Sequence, residues 1–340
     1  MSYRYLGNKT RLASWIVDVV SEVLPRGASI ADPMCGTAAM SVAFARAGYS
    51  VTAADALTFP IIHARSRLLP AEPPAFLALG GYESALEWMR TTKPEPGYFY
   101  QEFSVDGQPT NGRAPRGYFS GENAAQIDAV RAGIKALSEA GDLTVIEHSV
   151  LLHHLILATN KVANITGTYG YFRSKLSTSA LRPLTFEPLI FEATTGTHTV
   201  IQGEVERIAH TLQTDAVYLD PPYTKRQYAG NYHILETLAQ EDEPEAVGDG
   251  GLRPWTDQAS DFCYKRHAGQ AFRETLKRLS VEHVFISYSE DGQVSEGELQ
   301  SILSDFGTVN VHEQPHARFR SNSRVKDGVV LERIYHIEAF

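Results

Sequence analysis

Cysteine is nearly missing from this chain of 340 residues: Cys35 and Cys263 lie far apart and neither belongs to a CxxC pair. A disulfide framework and a thiolate zinc site are both excluded. Long apolar runs are missing too. The longest, Val150 to Ala158, is broken by His153 and His154, and the first residues lack the apolar stretch of a signal peptide. Neither export nor a membrane span is therefore expected, and a reducing cytoplasm fits. No GxSxG elbow and no HExxH pair occurs, and His148, His153 and His154 lack the i,i+4 spacing of a helical zinc pair. They read as satisfied helix-surface histidines, and no metal is expected. Positive charge is also scarce, with 31 Lys and Arg against 40 Asp and Glu, a net charge of −9. A nucleic-acid partner would need the basic residues gathered on one face. Local clusters exist at Arg113 and Arg116, at Lys161, Arg173, Lys175 and Arg182, and at Arg318, Arg320, Arg324 and Lys326; ordinary solvated surface is the alternative reading.

What is present is enough apolar material, 43% of residues, for one large core and a second substructure. Leu12, Trp15, Ile16, Val19, Val20 and Val23 recur at helical spacing and predict a helix over 11–24, ended by Pro25 and Gly27. A strand at 28–32, a turn at Pro33 to Gly36, a small-residue helix from Thr37 to Ala47 and a strand from Val51 to Asp55 follow. This series opens a doubly wound α/β fold with a parallel sheet, in which ligands sit at the carboxyl ends of the strands. After about residue 65 the alternation stops. An aromatic, Gly- and Pro-rich loop from Pro94 to Phe119, helices at Asn123 to Ala140 and about Thr144 to Lys161, and a loop at Asn164 to Lys175 read as a mostly helical insertion. Val130, Ile134 and Leu137 form an apolar stripe that reads as core. Strands return at Thr199 to Gln202, Ala216 to Leu219 and His283 to Ser287, with Val309 to Glu313 and Leu331 to Ile337 as a closing antiparallel pair. The acidic, turn-rich stretch Glu241 to Gly251 predicts a mobile loop.

Two constellations carry chemistry. The first turn reads Asp32-Pro33-Met34-Cys35-Gly36-Thr37, and Asp55 ends the next strand, where an acidic side chain can accept both hydroxyls of a ribose. A dinucleotide site wants GxGxxG so that backbone amides approach a pyrophosphate; here a carboxylate stands at the mouth of the loop and would repel phosphate. That suits a nucleoside cofactor with an ammonium group and no phosphate, namely S-adenosylmethionine, against the plainer reading of a strand–turn–helix with a buried Asp. Upstream, Tyr5-Leu6-Gly7-Asn8-Lys9 is not a P-loop. Lys9 can pair with a carboxylate, such as the methionine end of the cofactor, with Tyr5 packing nearby; solvent is its other destination.

The second constellation is Ala216-Val217-Tyr218-Leu219-Asp220-Pro221-Pro222-Tyr223. An apolar strand delivers Asp220 at its carboxyl end, and Pro221 and Pro222 stiffen the backbone and remove two N–H donors. An acceptor-only pocket results. Adenine's exocyclic amine is a poor nucleophile; with Asp220 and the Pro221 carbonyl each accepting one N–H, its lone pair is freed toward a methyl sulfonium and its developing charge is stabilised. Tyr223 offers a face for stacking a base that must leave the duplex to react. A proline-ended strand with a packed Tyr is the alternative.

On these residues the chain resembles the Dam-like, alpha-group N6-adenine-specific DNA methyltransferases. Tyr5 to Lys9 is similar to the family's N-terminal cofactor motif, Asp32 to Thr37 to motif I, Asp55 to the acidic motif II residue and Asp220 to Tyr223 to motif IV. The resemblance implies a Rossmann-like methyltransferase core at 1–65 and 196–340 with a target-recognition insertion at 66–195. It implies cofactor contacts from Tyr5, Lys9, Asp32, Pro33, Gly36, Thr37, Asp55, Glu204 and Asp220, and catalysis at Asp220, Pro221, Pro222 and Tyr223. Met34 stands where the family usually carries an aromatic. Contacts to double-stranded DNA are expected from Arg113, Arg116, Asn164, Thr166, Tyr169, Arg173, Lys175, Lys225, Arg226 and Arg320, and a cognate restriction endonuclease or other defence-system protein is the implied partner. Ser287-Tyr288-Ser289 is a further family-like stretch. Cytosine-N4 and RNA-adenine methyl transfer use the same acceptors and remain alternatives, as does a catalytically silent DNA-binding regulator. Charge reversal at Arg173 or Lys175 is expected to weaken DNA binding and reduce the slope of log affinity against log salt by about one per lost phosphate contact; an unchanged slope in a salt titration places them away from phosphate.

Overall fold

Short apolar strands in a parallel sheet need cover on both faces, and the chain supplies it in sequence order. The computed structural model describes residues 5–111, 114–290, 292–317 and 329–339, so the expected contacts at Arg113 and Arg320, with Arg318, Arg324 and Lys326, lie outside the described residues. Among the described residues no helix is long and apolar enough to cross a membrane. The chain divides into two compact units, one of Gly7–Ala64, Thr194–Gln227 and Gln258–Phe340, the other of Met1–Leu6, Arg65–Ala193 and Tyr228–Asp257.

The first unit holds a seven-stranded sheet: β1 (Ser29–Asp32), β2 (Ser50–Asp55), β3 (Thr199–Gln202), β4 (Ala216–Leu219), β5 (His283–Ser289), β6 (Gly307–Ala317) and β7 (Val329–Ala339), in the order β3-β2-β1-β4-β5-β7-β6. β1 to β5 are parallel, and β7 runs antiparallel between β5 and β6. Side chains alternate across β4. Val217 and Leu219 join Phe272 and Leu276 of the helix Ala268–Arg278 and Leu299 and Ile302 of the helix Glu296–Leu303 in one buried cluster. Tyr218 meets Phe44 of the helix Ala39–Arg46 edge-on at 5.5 Å, a helix that packs beside Ala13–Ser21 with its buried Ile16, Val19 and Val20. The strand order reverses between β1 and β4, so the crevice outside their carboxyl ends is the position at which doubly wound sheets bind ligands.

The second unit is helical, built on Tyr82–Thr91, Tyr98–Phe103, Gly121–Glu139, Val145–Val162, Tyr228–Asn231 and His233–Gln240. Thr144 starts the helix Val145–Val162 with a capping box, its side chain accepting from the Glu147 amide while the Glu147 carboxylate accepts from the Thr144 amide. Both sides of this helix are buried, which corrects the reading of His153 and His154 as surface residues. His154 Nε2 lies 2.9 Å from the Tyr82 hydroxyl, and burial pushes its pKa down to about 3. Residues Tyr228–Asp257, expected with the core, group with the insertion.

The acidic stretch 241–251 is not the mobile loop its composition suggests. Arg131 donates to the Asp242 carbonyl at 2.7 Å, Arg253 pairs with Asp242 at 2.9 Å, and Tyr118 donates to the Gly250 carbonyl at 2.9 Å. Arg116 donates to the carbonyls of Ala246 and Gly248 at 3.3 and 3.1 Å and pairs with Glu102. Arginines thus satisfy backbone oxygens that the turn-rich sequence leaves without strand or helix partners. With Arg116 1% exposed, Arg116→Ala strands a buried Glu102 and is expected to cost about 3–5 kcal/mol; chemical denaturation measures it, and a loss below about 1 kcal/mol would show the pair to be dispensable.

Candidate active site

Parallel strands end at one edge of a sheet, so their last residues converge without any local sequence signal. β1 ends at Asp32, β2 at Asp55, β4 immediately before Asp220, and β5 at Ser289, while Glu332 lies on β7 opposite Ser289. Lys9 reaches the same unit from a 3-10 turn, Lys9–Arg11, preceded by Asn8, whose Oδ1 accepts from the Thr10 amide at 2.9 Å.

Lys9 is buried, with its Nζ 2.9 Å from Asp220 Oδ1, 3.2 Å from Glu332 Oε1 and 2.6 Å from the Tyr223 hydroxyl. Tyr223 donates toward Asp220 Oδ1 at 3.0 Å and toward Glu332 Oε1, and its hydroxyl lies 2.9 Å from Ser287 Oγ. Its single proton has two carboxylates within reach. Ser287 in turn donates to Glu332 Oε1 at 3.0 Å. The Tyr223 ring packs edge-on against Tyr288 at 5.1 Å, with Lys9 Nζ 4.5 Å from the ring centre. Tyr223 is held by hydrogen bonds through its hydroxyl as well as by its ring. Pro221 is buried and Pro222 half-buried behind Asp220.

Burial works against the charge of Lys9, but the carboxylates of Asp220 and Glu332 outweigh it and hold its pKa above the ordinary value. Burial raises Asp220, opposed by Lys9 and assisted by Glu332. Asp32 is buried, accepts from Ser41 Oγ at 2.6 Å, and is pushed up to about 7 by burial, with Asp220 and Asp55 adding to the shift. Asp55 Oδ2 accepts from the Gly36 amide at 3.0 Å and Oδ1 from the Leu57 amide at 3.0 Å. Gly36 adopts φ +50°, the left-handed region, as the turn folds back toward β2. Pro33 and Thr37 are buried within that turn. Glu204 follows β3 and pairs with Arg207 at 2.8 Å.

The other expected residues are scattered. Tyr5 lies in the helical unit, stacked on Tyr232 at 4.8 Å. Lys225 and Arg226 are exposed in the sheet unit, and Thr166, Arg173 and Lys175 are exposed in the helical one. Three expected DNA contacts are interior, and their role is corrected. Arg116 serves Glu102 and the 241–251 loop. Asn164, 0% exposed, donates to the Gly117 and Arg173 carbonyls at 2.9 and 3.0 Å and accepts from the Ser177 amide at 3.0 Å. Tyr169, also 0% exposed, has its carbonyl bound by Tyr118 and its amide by the Asn231 carbonyl, both at 2.8 Å. Sequence reading missed Glu332, whose only local signal is an acid inside the apolar strand β7. Tyr171, in the loop Asn164 to Lys175, is 57% exposed and stacked on Phe172 at 4.6 Å, two positions before exposed Arg173.

Residues 5–295 match the family model described as D12 class N6 adenine-specific DNA methyltransferase. Among curated proteins the chain is 29% identical over 321 residues to the type II methyltransferase M.NlaIII of Neisseria lactamica, covering 94% of this chain and 92% of that protein. It is 31% identical over 337 residues to the modification methylase LlaI of Lactococcus lactis subsp. lactis, with 96% of this chain and 53% of that protein covered. With the type II methyltransferase M.FokI of Planomicrobium okeanokoites it shares 28% identity over 98% of this chain and 52% of that protein, so it spans about half the length of those two relatives and nearly all of the first. The resemblance drawn from Asp32, Asp55 and Asp220 to Tyr223 is thereby borne out over most of the chain, and the protein belongs to the D12 class N6 adenine-specific DNA methyltransferase family.

Proposed function

We propose that this chain transfers a methyl group from S-adenosylmethionine to the N6 amine of an adenine extruded from double-stranded DNA. The observation that carries this reading is Asp220, a mostly buried carboxylate at the end of β4, backed by two prolines and held by Lys9 and Tyr223. The methyl donor supplies an electrophilic methyl on a sulfonium. Its positive charge suits the acidic edge formed by Asp32, Asp55 and Asp220, and its lack of phosphate suits the carboxylate in the first turn. Asp32 and Lys9 would hold the methionine end, Asp55 would accept from the ribose hydroxyls and Glu204 would lie toward the adenine.

Asp220 accepts one N–H of the target amine and the Pro221 carbonyl the other. Both acceptors would favour the positive charge that develops on that nitrogen as it takes the methyl, and the surplus proton would pass from nitrogen to solvent water. Positioning by Tyr223 removes much of the entropic cost of bringing amine and methyl together. The helical unit is proposed to read the target sequence. Its exposed Tyr171, with Arg173 and Lys175, supplies an aromatic face beside positive charge, a pairing suited to unstacked bases and phosphates. Lys225 and Arg226 add charge in the sheet unit. A cognate restriction endonuclease is the proposed partner and the cytoplasm the proposed place of action, a reading supported by relatives named as modification methylases.

Asp220→Ala is expected to reduce turnover by at least about a hundredfold while calorimetric titration finds S-adenosylmethionine affinity near normal; full activity removes Asp220 from the chemistry. Because Asp32 is held at about 7, it is neutral below that pH and ionised above it. Donor affinity is therefore expected to strengthen on the order of tenfold as pH rises from about 6 to about 8, and Asp32→Asn to flatten the dependence. A flat wild-type profile would place the donor's cationic group elsewhere.

A further inference from the structure

An ammonium 2.9 Å from the amine acceptor creates a difficulty. Lys9 favours the ionised form of Asp220, but a Lys9–Asp220 pair alone has a positive end that opposes the charge growing on the adenine nitrogen. In a buried site with little water to screen it, that opposition is felt strongly. A second carboxylate removes it. Glu332 Oε1 lies 3.2 Å from the same Nζ and is 8% exposed. Ser287 of β5 and Tyr223 both donate to it, so its position is fixed by the antiparallel docking of β7 on β5. Its chain neighbour Arg333 is engaged elsewhere, with Glu313 at 2.6 Å and Glu296 at 3.4 Å, leaving Lys9 as the cation on Glu332 among the described residues. One ammonium thus faces two carboxyl groups, those of Asp220 and Glu332, before Asp32 is added.

We infer that Glu332 is a positioning residue which offsets the charge of Lys9 and shares the Tyr223 proton, so that Asp220 presents net negative charge to the target amine. Glu332 does not touch the base; it acts through Lys9 and Tyr223. Among the described residues, Asp220 is faced by Lys9 from the N-terminal turn, Tyr218 on β4, Tyr223 after it, Glu332 on β7 and Asp32 at the end of β1, with Ser287 on β5 bonded to Tyr223. Lys9 lowers the pKa of Asp220 and Glu332 raises it, so the two have opposite signatures.

The test is the pH profile of single-turnover adenine methylation. Glu332→Gln is expected to lower the rate on the order of ten- to a hundredfold and to move the acid limb to lower pH. Lys9→Met moves that limb to higher pH. Added to the Glu332→Gln background, Lys9→Met should raise the rate, since the uncompensated ammonium is then gone, whereas in the native background it lowers it. Additive effects, or a Glu332→Gln enzyme with unchanged rate and limb, overturn the role of Glu332. If Glu332→Gln unfolds in a thermal melt, Glu332→Asp, which draws the carboxylate back from Lys9 Nζ, takes its place: a lower rate with the acid limb moved to lower pH supports the role, and an unchanged rate and limb overturn it. Because the role rests on Asp220 accepting the amine, wild-type enzyme that methylates no adenine overturns that prior reading instead.

Discussion

A buried ammonium held between two carboxylates is the interaction on which the site depends. None of Lys9, Asp220 and Glu332 would be stable in the interior alone, since an isolated buried charge costs several kcal/mol. Together one ammonium and two carboxyl groups offset one another at the sheet edge where the strand order reverses between β1 and β4. Tyr223 and Ser287 complete the hydrogen bonding, so the cluster is satisfied rather than strained. The proposed chemistry needs negative charge twice, once for a sulfonium donor and once for the nitrogen that becomes cationic.

The sheet brings the cluster together by topology. Carboxyl ends of parallel strands lie at one edge, which gathers Asp32, Asp55 and Asp220, while antiparallel β7 passes Glu332 across β5 to meet them. Short apolar strands make such an edge rigid: every residue of β4 is buried, so the backbone carrying Asp220 has little freedom. The same rigidity makes Pro221 and Pro222 effective, because a fixed carbonyl is an acceptor that needs no reorganisation during reaction.

Much of this was legible in the residues. β3 and β4 fall where Thr199–Gln202 and Ala216–Leu219 place them, and β1, β2 and the start of β5 agree to within a residue, because β-branched and apolar runs bounded by turns have few other uses. Both closing strands extend beyond their expected ends, since antiparallel pairing carries polar residues such as Thr308, Gln314 and Glu338 that an apolar pattern omits. The helices Tyr82–Thr91, Ala268–Arg278 and Glu296–Leu303 went undescribed. Their polar faces dilute the apolar signal.

Tertiary facts were the ones that escaped. Arg116, Asn164 and Tyr169 look like a DNA-facing surface in a basic, aromatic stretch, yet each is buried and ties loops together, and burial is decided by distant partners such as Gly248, Ser177 and Asn231. Lys9 and Glu332 stand near opposite ends of the chain, so neither predicts the other. The most direct measurement is the identity of the methylated nucleoside after purified chain acts on double-stranded DNA with methyl-labelled S-adenosylmethionine. Label in N6-methyladenine is the predicted result; label in N4-methylcytosine, or none from folded protein that binds the donor, contradicts the assignment of the Asp220 pocket.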